Sequence, residues 1–206
     1  MTKKLAHSAI LFMLMAHAVY SQTHIPDSTF KRYFIGSSGF VSFNLLPFPN
    51  PPSFYQLNVG YRLNKRNSFS LEAITWTYHH PLGIPYGPDL EADEYEYPGL
   101  VREFGLGICY QHFWWRGFYT ALHATPFLQR FVDSNRKHIR NGFQLFTVAR
   151  LGWHVSFFKN RFFIEPSLAA TSWPIRTKPP EAFAQQDRKW PNYFLVEPGF
   201  HLGFNF

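Results

Sequence analysis

Histidines, one cysteine and scattered carboxylates are the groups here that could move a proton, hold a metal or attack a bond, and five of the ten histidines draw notice by position. His79 and His80 are adjacent, while His123, His154 and His201 stand singly. Imidazole titrates near neutrality and is a common zinc ligand. No tight His/Cys/Asp spacing of the zinc type accompanies these histidines. Neighbouring side chains on an extended strand point to opposite sides, so His79-His80 makes a poor clamp. Ser, His and Glu all occur, but the sequence singles out no set of nucleophile, base and orienter within hydrogen-bond reach of one another. The acidic run Asp89-Leu90-Glu91-Ala92-Asp93-Glu94-Tyr95-Glu96 lacks the Gly and Asp/Asn spacing of a calcium loop and is expected to be a solvated loop. Cys109 is the single cysteine and has no partner for an internal disulfide. The sequence therefore assigns no catalytic residue, no cofactor and no metal site.

The remaining candidate constellation emerges from alternation. Eight segments, at about 33–45, 54–63, 68–78, 100–112, 118–130, 143–157, 161–172 and 193–206, alternate in polarity with a period of two. On the last, Phe194, Val196, Pro198, Phe200, Leu202, Phe204 and Phe206 share one face, and Glu197, Gly199, His201, Gly203 and Asn205 the other. The sixth sets Phe143, Leu145, Ala149, Leu151, Trp153, Val155 and Phe157 against Gln144, Arg150, Gly152, His154 and Ser156. The fourth sets Phe104, Leu106, Ile108 and Tyr110 against Glu103, Gly105, Gly107, Cys109 and Gln111. Parity thus collects Arg62, Glu72, Glu103, Arg150, His154, Glu165, Glu197 and His201 on one side, with Cys109 among them. The third strand is less regular, because Ile74 and Trp76 share the side of Glu72 unless a bulge intervenes. The fifth is ambiguous around Leu122, His123 and Pro126. Phe163-Ile164-Glu165-Pro166 echoes Leu195-Val196-Glu197-Pro198, and each proline should sit by a bulge or a gap in pairing, since it cannot donate to the ladder.

Aromatic residues make up 20% of the chain and charged residues only 16%, below the roughly 25% of a typical soluble domain. Mean hydropathy is nevertheless −0.22. That mixture suits a wall with one apolar and one polar face. Lys3-Lys4, the apolar run Ile10–Ala16 and the small residues ending at Ser21 form a three-part secretory signal over 1–21. The apolar run is shorter than the ~20 residues a spanning helix needs. Without that signal the chain carries 18 basic and 13 acidic residues. Export argues against nucleic acid and favours anionic lipid head groups as the counterpart of this charge.

The connectors complete the pattern. Residues 63–67, 114–117 and 158–161 fit hairpin turns, whereas 47–53, 79–99, 133–142 and 174–192 are longer, Pro-rich or charged. Long and short alternate strictly, as in an up-and-down barrel with short periplasmic turns and long outer loops. The last strand, with Phe200, Leu202, Phe204 and a final Phe206, resembles the C-terminal signature of bacterial outer-membrane β-barrel proteins. The resemblance covers strand architecture over most of 30–206 and implies that this strand is what the insertion machinery recognises. It implies no catalytic residue. The expected fold is all-β, a transmembrane up-and-down antiparallel barrel of eight strands over 22–206. Six or ten strands follow if a long loop hides a hairpin. Its partners would be outer-membrane lipids, lipopolysaccharide and the insertion machinery. The basic loops Arg136–Arg140 and Arg188-Lys189 would lie near lipid phosphates. An eight-stranded barrel is just wide enough for side chains to fill, so the inward charges are expected to form a structural plug. A structural or surface-interaction role is expected first, a lipid-modifying enzyme second and a narrow pore last.

Overall fold

The computed structural model describes residues 30–46, 53–79, 98–188 and 191–206. The signal segment, His80, Lys189 and the acidic run 89–96 lie outside them. The strands are β1 (Tyr33–Ser38), β2 (Phe54–Arg62), β3 (Asn67–His79), β4 (Gly99–Trp115), β5 (Phe118–Asp133), β6 (His138–Trp153), β7 (Val155–Phe157), β8 (Phe162–Arg176) and β9 (Tyr193–Asn205). A 3-10 helix spans Gly39–Leu45, and a short helix, α1, spans Glu181–Asp187. Every pairing is antiparallel. Successive strands are neighbours, β1 pairs with β9, and β6 pairs with β8, so the sheet closes on itself. β6 and β7 are one wall strand interrupted at His154, because both keep the same register on β8, from Gly152↔Ser167 to Val155↔Ile164. The described residues thus form an eight-walled, up-and-down β-barrel. Closure leaves no continuous sheet edge to aggregate.

The short turns lie at one end. Arg116 and Gly117 have φ of 45° and 83° and join Trp115 to Phe118, the two-residue connection whose positive φ values match strand twist. At the turn after β2, the Asn64 side-chain oxygen accepts the N–H groups of Arg66 and Asn67 at 2.8 and 2.9 Å. At the other end two expectations need correction. The first strand stops at Ser38 instead of 45. Ser38 Oγ accepts the Phe40 N–H at 3.2 Å and starts the 3-10 helix. The Asn44 side chain then donates to the Phe54 carbonyl at 2.6 Å and accepts its N–H at 3.2 Å, standing in for the strand that turned away. The expected loop 133–142 is a tight turn, with β6 starting at His138. The Asp133 carboxylate accepts the Lys137 N–H at 2.8 Å and closes it.

Proline accounts for the gaps in the ladder. The β4–β5 pairing skips the residues opposite Pro126 without changing register, and the β6–β8 pairing lapses opposite Pro166. On the other side the β5 ladder runs on, with the His154 N–H donating to the Gly117 carbonyl at 2.8 Å. Near Pro198, β9 bulges between its partners Ala169 and Thr171.

The outer surface is a band of apolar side chains. Leu71, Leu106, Ile108, Leu122, Leu128, Leu151 and Leu168 are each more than half exposed. Toward the turns the band becomes aromatic, with Tyr33–Tyr61, Phe162–Phe204 and Phe118–Trp153 ring centroids 5.0–5.2 Å apart. Phe206 closes the seam: it exchanges two backbone hydrogen bonds with Tyr33, at 2.9 and 3.2 Å. Among the described residues no helix is long and apolar enough to cross a membrane.

Candidate functional site: a blind chamber over a polar plug

The interior is layered, and the sequence pattern did not predict that. β3 carries no bulge, so Ile74 and Trp76 point inward beside Glu72. On β5, His123, Thr125 and Phe127 are buried while Leu122 is exposed. The inward side is mainly polar in its lower half and mainly aromatic around the chamber above it, where a polar plugged lumen was expected.

Nearest the turns lies a plug. Arg62 donates to Asn205 Oδ1 at 2.9 Å and lies over the Phe34 ring, 4.8 Å from its centroid. His154 Nδ1 and Gln111 Nε2 both donate to Glu165 Oε1, at 2.7 and 3.0 Å, and Ser68 donates to Gln111 at 3.2 Å. All six of these polar side chains are buried. Such a network is stable only because its members satisfy one another, since an isolated charge there would be very costly.

The middle layer gathers Glu72, Cys109, His123, Arg150 and His201. Arg150 Nη1 lies 3.2 Å from His123 Nε2 and 3.1 Å from His201 Nε2. Guanidinium can only donate, so both Nε2 atoms accept, and each neutral ring carries its proton on Nδ1. His123 gives that proton to Glu72 Oε1 at 2.9 Å. His201 Nδ1 and Arg150 Nε are buried with no hydrogen-bond partner. Among the described residues, no carboxylate lies within ion-pair distance of Arg150. This cation is met by two uncharged rings.

Cys109 Sγ lies 3.4 Å from His123 Nε2, which aligns carboxylate, imidazole and thiol. Glu72, Cys109 and His123 each bring one ligand atom within 4.8 Å of the others. Arg150 opposes a metal at this point, because its positive charge already sits on the nitrogen a cation would take. Cys109 borders a polar void of about 30 Å³ beneath Arg150, not the larger space above it.

That larger space is a chamber of about 480 Å³. Its walls are Phe40, Phe54, Trp76, Phe127, Phe146 and Trp173, with Phe54 5.5 Å from Trp76 and Phe146 5.4 Å from Trp173 between ring centroids. Glu72, His123, Arg150 and His201 form its floor, and Glu197 stands at its side. Beyond Trp76, α1 roofs a neighbouring cluster: fully buried Phe183 packs on Tyr78, Val101 and Phe131, and a two-pronged Arg176–Asp187 pair (2.6 and 2.8 Å) fixes the helix.

The eight expected interior residues therefore fall into separate places. Arg62, His154 and Glu165 belong to the plug; Glu72, Arg150 and His201 meet in the middle layer; Glu197 borders the chamber. Glu103 is apart from all of them. Its Oε1 accepts from Tyr78 Oη at 2.7 Å, Gln129 Nε2 at 2.6 Å and Gln144 Nε2 at 2.7 Å. Sequence reasoning missed His123, whose side was ambiguous, and gave Cys109 no neighbour. Their contact depends on the β4–β5 register Cys109↔His123, which parity does not supply.

No protein-family model matches the chain, and no curated protein is similar to it at a significant level. Among solved structures, CarO2 of Acinetobacter baumannii is similar, at 9% identity with a TM-score of 0.38, over 85% of this chain and 98% of that one. The class defined here, a closed eight-walled barrel, rests on the ring of strand pairings.

Proposed function

We propose that this is an exported outer-membrane barrel that binds an apolar small molecule and does not conduct. The carrying observation is the chamber itself: about 480 Å³ of largely aromatic-walled space ending blind on hydrogen-bonded side chains. Its volume falls within the ~300–1,000 Å³ usual for small-molecule sites, which are likewise mostly apolar with a few convergent polar groups. The membrane placement is supported by the exposed Leu and Ile band with its aromatic margin, the arrangement of transmembrane barrels. On this reading residues 1–21 direct export, and lipids, lipopolysaccharide and the insertion machinery are the partners. A pore is disfavoured by the plug. An acyl-transfer enzyme working through Cys109 is disfavoured, because Cys109 borders the small void and shares its imidazole with Arg150.

Two measurements test the proposal. The protein should fractionate with the outer membrane and migrate differently with and without heating. Reconstituted in a planar bilayer, it should give no discrete conductance steps. A soluble periplasmic species would overturn the membrane placement, and regular single-channel steps would overturn the blind chamber.

A further inference from the structure

Among the described residues the barrel wall is incomplete beside the chamber. β1 pairs with β2 only as far as Gly36↔Asn58 and with β9 only as far as Ser38↔His201. Beyond those pairs, Phe54–Leu57 of β2 and Tyr193–Phe200 of β9 have no ladder between them. The 3-10 helix Gly39–Leu45 fills this gap like a stopper, touching both strands. Phe40 and Val41 pack inward with Phe54, and Leu45 is 86% exposed on the outside. The gap lies at the level of the chamber, and Phe40, Phe43 and Phe200 line that space at its edge. Tyr55, Leu57, Leu195 and Val196, on the strands flanking the gap, are exposed. The chamber thus has a side entrance in the apolar wall, closed by one turn or two of helix.

The floor specifies the other end of the occupant. Arg150 has no anion within ion-pair distance, and two buried donors at the floor, Arg150 Nε and His201 Nδ1, are unused, as are Trp76 Nε1 and Thr171 Oγ1 in the wall. His201 is only 6% exposed. A half-buried cation with unused donors is complementary to an oxyanion, whose charge-assisted hydrogen bonds are the strong ones. The polar void adjoining Arg150 holds about 30 Å³, enough for a group of a few atoms. The space above suits a single alkyl chain rather than the paired chains and head group of a phospholipid.

We infer that the chamber is a binding site for a single-chain fatty carboxylate, its head on Arg150 and His201, its chain among the aromatic rings, admitted from the bilayer past the 3-10 helix. This rests on the membrane-inserted, blind-barrel reading above.

Bromine quenches tryptophan at short range, which suits Trp76 and Trp173 in the chamber wall. The test uses the full barrel in phosphatidylcholine nanodiscs with Trp114, Trp115, Trp153 and Trp190 replaced by Phe. Brominated hexadecanoic acid should quench the remaining fluorescence saturably. Its methyl ester should need at least tenfold more, since it lacks the charge. Arg150→Gln should weaken the acid to the level of the ester, and Arg150→Lys should recover part of the loss. Ala169→Phe, which fills the chamber, should abolish saturation for both probes. If a variant fails to fold, the comparison of acid with ester on the unchanged floor still decides. Linear quenching, equal for acid and ester, in a barrel that keeps its heat-modifiable mobility would overturn this inference alone. A chain that does not enter the discs would overturn the membrane reading and this inference with it.

Discussion

Glu103 shows how much depends on single atoms inside this wall. Three donors converge on its Oε1 from β3, β5 and β6, and the carboxylate is 3% exposed. Glu103→Leu removes the acceptor and leaves a tyrosine hydroxyl and two amides buried without partners. Loss of one member of such a buried charged network costs about 3–5 kcal/mol, and urea titration of the heat-modifiable band should show a destabilisation of that size. Glu103→Gln keeps a carbonyl oxygen for the same donors and should cost less than half as much. Equal losses in the two variants would mean that the carboxylate's charge, and not its accepting oxygen, holds the cluster. Cys109 gives a second residue-level expectation. It is 7% exposed and borders only the small void. A bulky water-soluble maleimide should therefore label it after denaturation and not before; rapid labelling of the folded barrel would revive the thiol as a reactive group.

At the scale of elements, the period-two pattern carries most of the architecture. The short turns, the closure of the last strand on the first and the outward Leu and Ile faces all follow from side-chain alternation and turn chemistry. On β6, Arg150 reaches the middle layer while Leu151 is 54% exposed outside. Cysteine placed at 151, in a Cys109→Ser background, should react with a lipid-soluble thiol reagent and resist an impermeant one. Cysteine at 150 should lack that lipid-phase reactivity. Leu151→Arg should destabilise the barrel by ~2–4 kcal/mol if Leu151 sits near the bilayer midplane, the cost of arginine on a lipid face at that depth. An exchange of the two labelling patterns would shift the whole strand by one residue. Alternation was blind in two places. It ran the first strand to 45 because Val41, Phe43 and Leu45 alternate with Ser42 and Asn44, whereas Ser38 and Asn44 satisfy the backbone with their side chains and release the chain from the sheet. It also gathered Arg150 with Glu103, Glu165 and Glu197 into one expected plug. Partners across a barrel depend on registers of several strands at once, and in the folded chain Glu103 and Glu165 are taken up by amides and a histidine, which leaves Arg150 to two imidazoles.

The whole molecule separates two barriers that a simple pore would combine. On the reading proposed above, the plug blocks passage along the barrel axis and the 3-10 helix blocks passage through the wall. They share no hydrogen bond among the described residues, so they should be separable by mutation. Replacing 39–45 with a Gly/Ser segment of equal length removes the inward Phe40 and Val41 but leaves Arg62, Gln111, His154 and Glu165 in place. That variant should stay silent in a planar bilayer and should exchange the brominated acid faster than the parent barrel. The triple variant Arg62→Ala, Gln111→Ala, Glu165→Ala dismantles the plug and keeps the stopper. It strands His154 and should lower the urea midpoint. In the fraction that still folds, discrete conductance steps should appear where the parent gives none, because an eight-stranded interior is closed only by the side chains that fill it. Conductance in the stopper variant, or persistent silence in a folded plug variant, would mean that the axial barrier lies in the middle layer or the roof instead of around Arg62 and Glu165.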